Sequence, residues 1–359
     1  MATTFKNFLS NDLANTRTLL HEAIPITGSI ISGTYNDENV KEYGHGMFQS
    51  VYDYPFLSSS ANHIFDITTG IAQGSPLSAS TTTMMAKKAN IYNQMAQTLV
   101  GYDTTGSIKK FTTSAGTEIQ DAIFINFSRL LTKDEIKKGS VSMNFMTGGT
   151  SASLSHKVTV TDHSGANGYR VDSPAGEYGY LYKDASTDST LEVGQIYYQA
   201  GVAVLSGGAV FREGAVAGGQ GSDFINPGRW GAADSTQTTQ TETATGSYEV
   251  FVTGAVLNEL ADGTRHRINN ISFNNTTELN SSIYFCRVNH NDFNYSSNPT
   301  YLTGSKIRVK SRSSDAPVTY ITTVGLYSAD NELLAVAKLS EPLRKSSDTE
   351  LTLRVRLDY

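Results

Sequence analysis

Alternating apolar and polar residues at the C-terminal end of the chain predict antiparallel β-structure. Two apolar-rich runs, residues 319–327 and 333–339, flank the polar stretch Ser328–Asn331, which is the pattern of a β-hairpin. Over residues 349–359, apolar side chains recur at every second position: Leu351, Leu353, Val355 and Leu357. This final strand is therefore predicted to bury one face and expose the other.

Helical spacing of apolar residues occurs in two other segments. The clearer segment predicts a helix over residues 83–100 that ends at Gly101, with Lys87 and Lys88 facing water. Its apolar stripe consists of Met85, Ala89, Tyr92, Ala96 and Leu99. The other segment, residues 4–23, predicts an amphipathic helix that either covers its own core or reaches a neighbouring subunit.

These patterns together predict a mainly β protein with a few α-helices. Residues 1–247 are predicted to form an α+β domain with a β-rich middle region and a flexible Gly/Ser/Thr-rich loop over residues 214–246, which contains Trp230. Residues 248–359 are predicted to form a C-terminal antiparallel domain of β-sandwich type. We expect the long loop either to be mobile or to be ordered by a partner.

Composition favours contacts with other proteins over contacts with nucleic acid. Charged residues make up 17% of the chain, against roughly 25% in an average globular protein, and hydroxyl and amide groups fill the difference. Neutral polar groups cost less to desolvate than charges do. The net charge of −6 supplies no basic field. The basic run Lys306–Arg312 fits a solvated sheet face, or equally a face that meets an acidic partner surface. No nucleic acid is expected as the main partner.

No residue pattern predicts a catalytic, cofactor-binding or metal-binding site. His45 and His63 have no cysteine or further ligand at zinc spacing, and Asp53 and Asp66 are typical of turn capping. The single Cys286 excludes an intrachain disulfide framework, fits a reducing cytoplasm and is predicted to be buried and inert. The N-terminal residues show no secretory signal and no stretch of about 20 apolar residues occurs, so no membrane contact is expected. We therefore expect no cofactor and no enzymatic activity.

Four strings near the C-terminus resemble virion structural proteins of large tailed bacteriophages with contractile tails. They are Tyr284–Arg287, Phe293–Tyr301, Ile321–Tyr327 and Leu334–Pro342. The resemblance is clearest over residues 272–359, and residues 45–66 are also similar to members of that group. It implies a role in the particle, at the baseplate or tail or alternatively as a neck or capsid accessory protein, after synthesis in the host cytoplasm. It implies no chemistry.

The sequence leaves three classes of function to consider for this protein. The leading hypothesis is a non-enzymatic assembly protein that forms a homo- or hetero-oligomer in a symmetric ring or wedge with other virion proteins. The second is a carbohydrate- or receptor-binding module of the tail, which exposed Tyr and Trp side chains along one shallow groove would support. A hydrolase is disfavoured, because glycoside cleavage needs two carboxylates facing each other across a cleft, and the sequence offers no such pair.

Overall fold

The computed structural model of the protein describes residues 5–27, 36–78, 82–146, 157–162, 168–183, 191–211, 252–296, 299, 301–303, 306–307, 312 and 314–359. The chain divides into two compact units, a larger one, Leu20–Thr277, and a smaller one, Met1–Leu19 with Glu278–Tyr359. The division falls inside the first strand, β1 (Leu13–Thr27), and inside the strand β13 (Ile268–Val288). The boundary predicted near residue 247 and the predicted loop 214–246 lie outside the described residues.

The larger unit is built on antiparallel strands, with helices in the connections between them. Its strands, besides parts of β1 and β13, are β2 (Val40–Glu42), β3 (Gln49–Tyr52), β4 (His63–Ile71), β5 (Asp121–Phe127), β6 (Glu135–Ile136), β7 (Ser142–Met146), β8 (Lys157–Thr161), β9 (Arg170–Ser173), β10 (Gly176–Lys183), β11 (Glu192–Tyr197) and β12 (Val202–Ser206). Its α-helices include α1 (Thr83–Leu99), α2 (Arg129–Thr132), α3 (Gly207–Val210) and α4 (Leu257–Arg267). Single 3-10 turns occupy Asn36–Asn39 and Pro76–Ser78.

These strands form one curved sheet around a shared core. The order within the larger unit is β13-β7-β8-β10-β11-β12-β5-β4-β3-β2, and each neighbouring pair is antiparallel. Val51 on β3 and Ile268 on β13 belong to the same hydrophobic cluster although their strands lie near opposite ends of that order. The sheet therefore bends so that both ends reach one core.

Helix α1 covers the opposite face of the central strands. Phe124 and Val204, which point away from the shared core, pack in a second cluster with the helix residues Ile91, Tyr92 and Ala96. A Cβ atom at Gly70 on β4 would lie 2.8 Å from the Tyr92 backbone nitrogen. Glycine at this position is what allows the helix to approach the sheet so closely.

The smaller unit contains a strand pair, a long hairpin and a short ribbon. β18 (Leu351–Asp358) pairs with residues 281–288 of β13. β16 (Val318–Tyr327) and β17 (Leu333–Ser346) form the hairpin, and β14 (Leu302–Thr303) pairs with β15 (Lys306–Ile307). Both the hairpin and the alternation along the last strand agree with the sequence prediction. On β18 the residues Thr352, Arg354, Arg356 and Asp358 are exposed, whereas the alternating apolar ones are buried or half-buried.

The predicted mainly β fold is confirmed, and so is the helix over residues 83–100. Thr82 caps it by accepting a hydrogen bond from the Met85 amide at 3.3 Å, and Gly101 follows it with φ of +85°. The placement of Lys88 in water was wrong, because this side chain is fully buried.

The amphipathic helix predicted for residues 4–23 was also wrong. Described residues 5–9 have no regular structure, and residues 13–27 form strand β1, which hydrogen-bonds with β13. Pairing with the long strand β13 gives the main chain of residues 13–27 its hydrogen-bond partners. These tertiary contacts outweigh the helical preference that the spacing of apolar residues indicates.

Candidate functional site

A groove of about 630 Å³ runs beside strand β16 in the smaller unit. Every residue from Thr319 to Ala329 lines it. Because the side chains of a strand point alternately to opposite faces, lining by consecutive residues places the groove along the edge of the strand. β17 pairs with the other edge, and no strand in the described part of the chain pairs with the groove edge. One wall of the groove is therefore a strand edge without a partner strand.

Aromatic rings supply much of the remaining lining. The rings of the groove are Phe5, Phe8, Phe285, Phe293, Tyr295, Tyr320 and Tyr327. Phe5 meets Tyr327 edge to face, with ring centroids 5.1 Å apart, so the N-terminal segment lies against the end of β16. Phe8 contacts Tyr284 on β13 at 5.5 Å. The groove thus joins three segments that are far apart in sequence.

Charged side chains at the groove are paired with one another. Lys6 forms an ion pair with Asp292, and this hydrogen bond lowers the pKa of the Asp292 carboxyl. Arg287 forms an ion pair with Asp12. Strand β16 itself, from Val318 to Tyr327, carries no charged residue. The strand-edge wall is therefore neutral, and the charges on the opposite wall are compensated.

Cys286 also lines the groove and is half-buried, where the sequence predicted a buried thiol. Burial raises the pKa of this thiol, and the nearby Asp12 carboxylate raises it further. The thiol is consequently protonated at neutral pH, which weakens it as a nucleophile.

The smaller unit exposes apolar side chains and encloses few. Both hydrophobic clusters of the described structure are composed of residues from the larger unit. On β17, Leu333, Leu334 and Val336 are each at least half exposed, with Leu334 at 67%. A two-stranded ribbon is marginally stable in water by itself. The hairpin thus presents apolar surface that nothing in the described part of its own unit covers.

A serine, an aspartate and a histidine meet in the larger unit, but not in the order of a catalytic triad. Ser50 donates to Oδ1 of Asp66, and His63 Nε2 lies 2.8 Å from the same oxygen. Burial acts to raise the pKa of Asp66, but the hydrogen bonds with His63 and Ser50 outweigh it and lower the pKa. In a triad the histidine stands between the other two and removes the serine proton. Here the carboxylate stands between them, so His63 does not contact the Ser50 hydroxyl as a triad histidine would.

The two histidines singled out from the sequence have packing roles. His45 stacks on Tyr43 with ring centroids 5.2 Å apart and ring planes at 4°. His63 packs against Tyr52 and contacts Asp66. Within the described residues, no group of three or more His, Cys, Asp or Glu side chains is placed to hold a metal ion.

Lys88 is a buried cation whose partners are main-chain carbonyls. Its Nζ donates to the oxygens of Val252 and Ala255, each at 2.6 Å, and so ties helix α1 to the residues that precede helix α4. Burial lowers the pKa of Lys88 to about 8, against the opposing effect of Glu259. Both carbonyl contacts hold main-chain segments together, and Lys88 does not line the groove.

Asp162 is a buried carboxyl group that holds a turn. It accepts hydrogen bonds from the amides of Gly139 at 2.7 Å and Val141 at 2.8 Å and from the Tyr198 hydroxyl at 3.1 Å. Burial raises the pKa of Asp162 to about 6, although these three donors act in the opposite direction. The group is thus enclosed by the partners that it holds in place.

A second pocket of about 450 Å³ in the larger unit contains the carboxylates of Asp103, Glu118 and Asp172. Asp103 accepts hydrogen bonds from the amides of Thr105 and Ser107, and the pKa of Asp103 is lowered by hydrogen bonding with Thr105. Glu118 is paired with Lys110 at 2.8 Å. The carboxylates of Asp103 and Glu118 thus form hydrogen bonds or ion pairs with nearby residues of the same chain segment.

Comparison with known proteins identifies no relative. No protein-family model matches the chain, and neither a curated protein nor a solved structure matches it. Among the described residues, no helix has the length and apolar character needed to cross a membrane. Trp230 and most of the basic run Lys306–Arg312 lie outside the described residues.

Proposed function

We propose that the protein is a non-enzymatic structural component of a tailed bacteriophage particle that assembles through protein–protein contacts of its smaller unit. Its place in the particle is the baseplate or tail, and it works in several copies or with other virion proteins in a ring or wedge. The resemblance of residues 272–359 to virion proteins supports the particle role. That segment includes most of the smaller unit.

The observation that carries the proposal is the uncovered apolar surface of the β16–β17 hairpin. Leu333, Leu334 and Val336 stay in water, although each would gain free energy on burial, about 1.5–3 kcal/mol for a fully buried side chain. Contiguous exposed apolar surface marks interaction sites in soluble proteins. Contact with a neighbouring subunit would cover this surface and stabilise the hairpin at the same time.

Sedimentation velocity of the purified full chain tests this proposal. We expect the protein to associate into larger species as its concentration rises, and a Leu333→Ser, Leu334→Ser variant to associate at least tenfold more weakly. Because both side chains are already exposed, the variant should fold normally. Leu57→Ser is the matched control, since Leu57 is an exposed leucine of the larger unit, at 86%. A monomer that neither associates nor binds other virion proteins would refute the proposal.

A carbohydrate-binding module of the tail is the second candidate, and the groove favours it. Tyr295, Tyr320 and Tyr327 line the groove and are exposed, and exposed aromatic rings with neighbouring hydroxyl groups suit sugar rings. A glycan array would test this function. A specific, saturable glycan ligand whose binding is lost in Tyr320→Ala would place this candidate first.

A further inference from the structure

We propose that the groove beside β16 binds an extended, uncharged segment of another polypeptide, which adds to the hairpin as a third strand. The inference rests on the proposed assembly function and specifies the contact by which one partner is held. Strand addition uses main-chain hydrogen bonds for binding and side-chain pockets on either face for selectivity.

The main chain of β16 is the first support. Its groove edge meets no strand among the described residues, so the amides and carbonyls along Tyr320–Leu326 that do not pair with β17 face the groove. Hydrogen bonds within the described residues engage the start of the strand: the Val318 carbonyl accepts from the Tyr301 hydroxyl, and the side-chain Oγ1 of Thr319 donates to the Phe293 carbonyl at 2.6 Å. An extended chain can form hydrogen bonds with the remaining amides and carbonyls of β16 at matching intervals. A sugar or a helix does not present donors and acceptors at that spacing.

The sequence of β16 gives the second support. Edge strands that must stay unpaired usually carry lysine, proline or a bulge that discourages pairing. Residues 318–327 contain no charge and no proline, and they are rich in β-branched and aromatic side chains. The pairing with β17 is irregular between Ile321 and Thr323 and between Leu326 and Tyr327, but the extra residues there belong to β17 and not to β16. Such an edge is suited to pairing with another strand.

Charge complementarity selects the occupant. Among the described residues that line the groove, the charged ones take part in two ion pairs, Lys6 with Asp292 and Arg287 with Asp12, and none of them presents an uncompensated charge to β16. A charged side chain entering the groove would lose its hydration without gaining a partner. The segment that fits is therefore uncharged over its bound length, with apolar side chains directed at the aromatic lining.

The strand that forms one wall of the groove limits that length. Tyr320–Leu326 is seven residues long and, at about 3.3 Å per residue, spans roughly 23 Å, so the bound segment is at most about seven residues long. A contact this short binds weakly by itself, and several copies engaged at once would add their effects.

Fluorescence anisotropy with a labelled six-residue peptide tests the inference. The probe is an acetylated, amidated peptide with the sequence of Thr319–Val324, which is uncharged and strand-forming. The matched control is the same peptide with N-methyl groups on every main-chain amide, which retains the side chains but cannot donate hydrogen bonds along either edge. We expect saturable binding of the first peptide and at least tenfold weaker binding of the second. Hydrogen exchange of residues 320–326 should slow when the first peptide is bound.

Two protein variants locate the site. Thr322→Lys puts a charge on the groove edge of β16, and we expect at least a tenfold loss of peptide affinity. Thr98→Lys makes the same substitution at an exposed position of helix α1 that does not line the groove, and we expect a change within twofold. Matching melting curves of the two variants establish that both are folded.

Three results would overturn the inference. The first is absence of peptide binding at millimolar concentration, and the second is equal affinity for the N-methylated peptide. The third is displacement of the peptide by an oligosaccharide that itself binds saturably. This third result would assign the groove to sugars. If the peptide fails to bind while association still depends on Leu333 and Leu334, strand addition fails and the assembly function stands. If association is also absent, both fail.

Discussion

Replacing Lys88 by methionine should destabilise the protein and change how its stability depends on pH. The substitution keeps a similar apolar stem and removes the ammonium group, so the buried carbonyls of Val252 and Ala255 lose their shared donor. At about 1–3 kcal/mol for each unsatisfied acceptor, the two together cost about 4 kcal/mol. Removing the buried charge offsets about 3 kcal/mol, the equivalent of a pKa lowered from 10.5 to about 8. We expect a net loss of about 1 kcal/mol at pH 7.

The pH dependence has a definite sign. The pKa of Lys88 is lower in the folded protein than in the unfolded chain, so between pH 8 and 10.5 the unfolded state binds more protons. Wild-type stability therefore rises with pH across that window, by about 3 kcal/mol relative to the Lys88→Met variant. The difference between the two proteins should widen as the pH increases.

Urea denaturation at pH 7, 8.5 and 10 measures both effects. Lys87→Met is the control, because Lys87 is half-buried at the surface and donates one weaker hydrogen bond, to the His45 carbonyl at 3.3 Å. We expect the control to lie within about 0.5 kcal/mol of the parent at every pH. If Lys88→Met matched the parent throughout, or if their difference did not change with pH, the account of Lys88 as a buried cation would be wrong.

Three further outcomes are expected. Folding raises the pKa of Asp162 to about 6, so the stabilising contribution of this group is present below about pH 4 and is lost as the pH rises through 6. Across that window the stability of the parent protein should fall by about 3 kcal/mol relative to Asp162→Asn. Urea denaturation measures this difference. Gly70→Ala should lower stability by about 1–3 kcal/mol through its contact with the Tyr92 backbone, whereas Gly254→Ala, with open space around it, should not; thermal melting compares them. Cys286 should react with a thiol reagent more slowly than free cysteine at pH 7.5, and rapid stoichiometric labelling would contradict this.

Local pattern was sufficient to predict the elements whose partners are close in sequence. The helix over residues 83–99 has a capping threonine, a continuous stripe and a terminal glycine, and the β16–β17 hairpin has its turn between its strands. The burial of Lys88 could also have been predicted from its position. Lys88 lies three residues after Met85 and three before Ile91, on the buried face of helix α1. Its charge led to the opposite prediction, and the carbonyls that compensate it come from residues far along the chain.

Features that depend on distant partners could not be predicted in this way. Strand β1 forms because β13, more than two hundred residues later, offers a pairing edge, and no local signal in the N-terminal segment reports that edge. The groove is assembled from the N-terminal segment, the end of β13 and β16. The sequence predicts β16 as a strand, but whether one of its edges stays open is decided by which other strands reach it.

Cross-linking mass spectrometry of intact, purified particles tests the central claim most directly. Lys338 is an exposed lysine of β17 in the smaller unit. If the smaller unit mediates assembly, cross-links should join this lysine to neighbouring copies or to other baseplate or tail proteins, and the chain should be present at a fixed number of copies per particle. Particles that lack the chain, or that contain it without any cross-link from the smaller unit, would contradict the account.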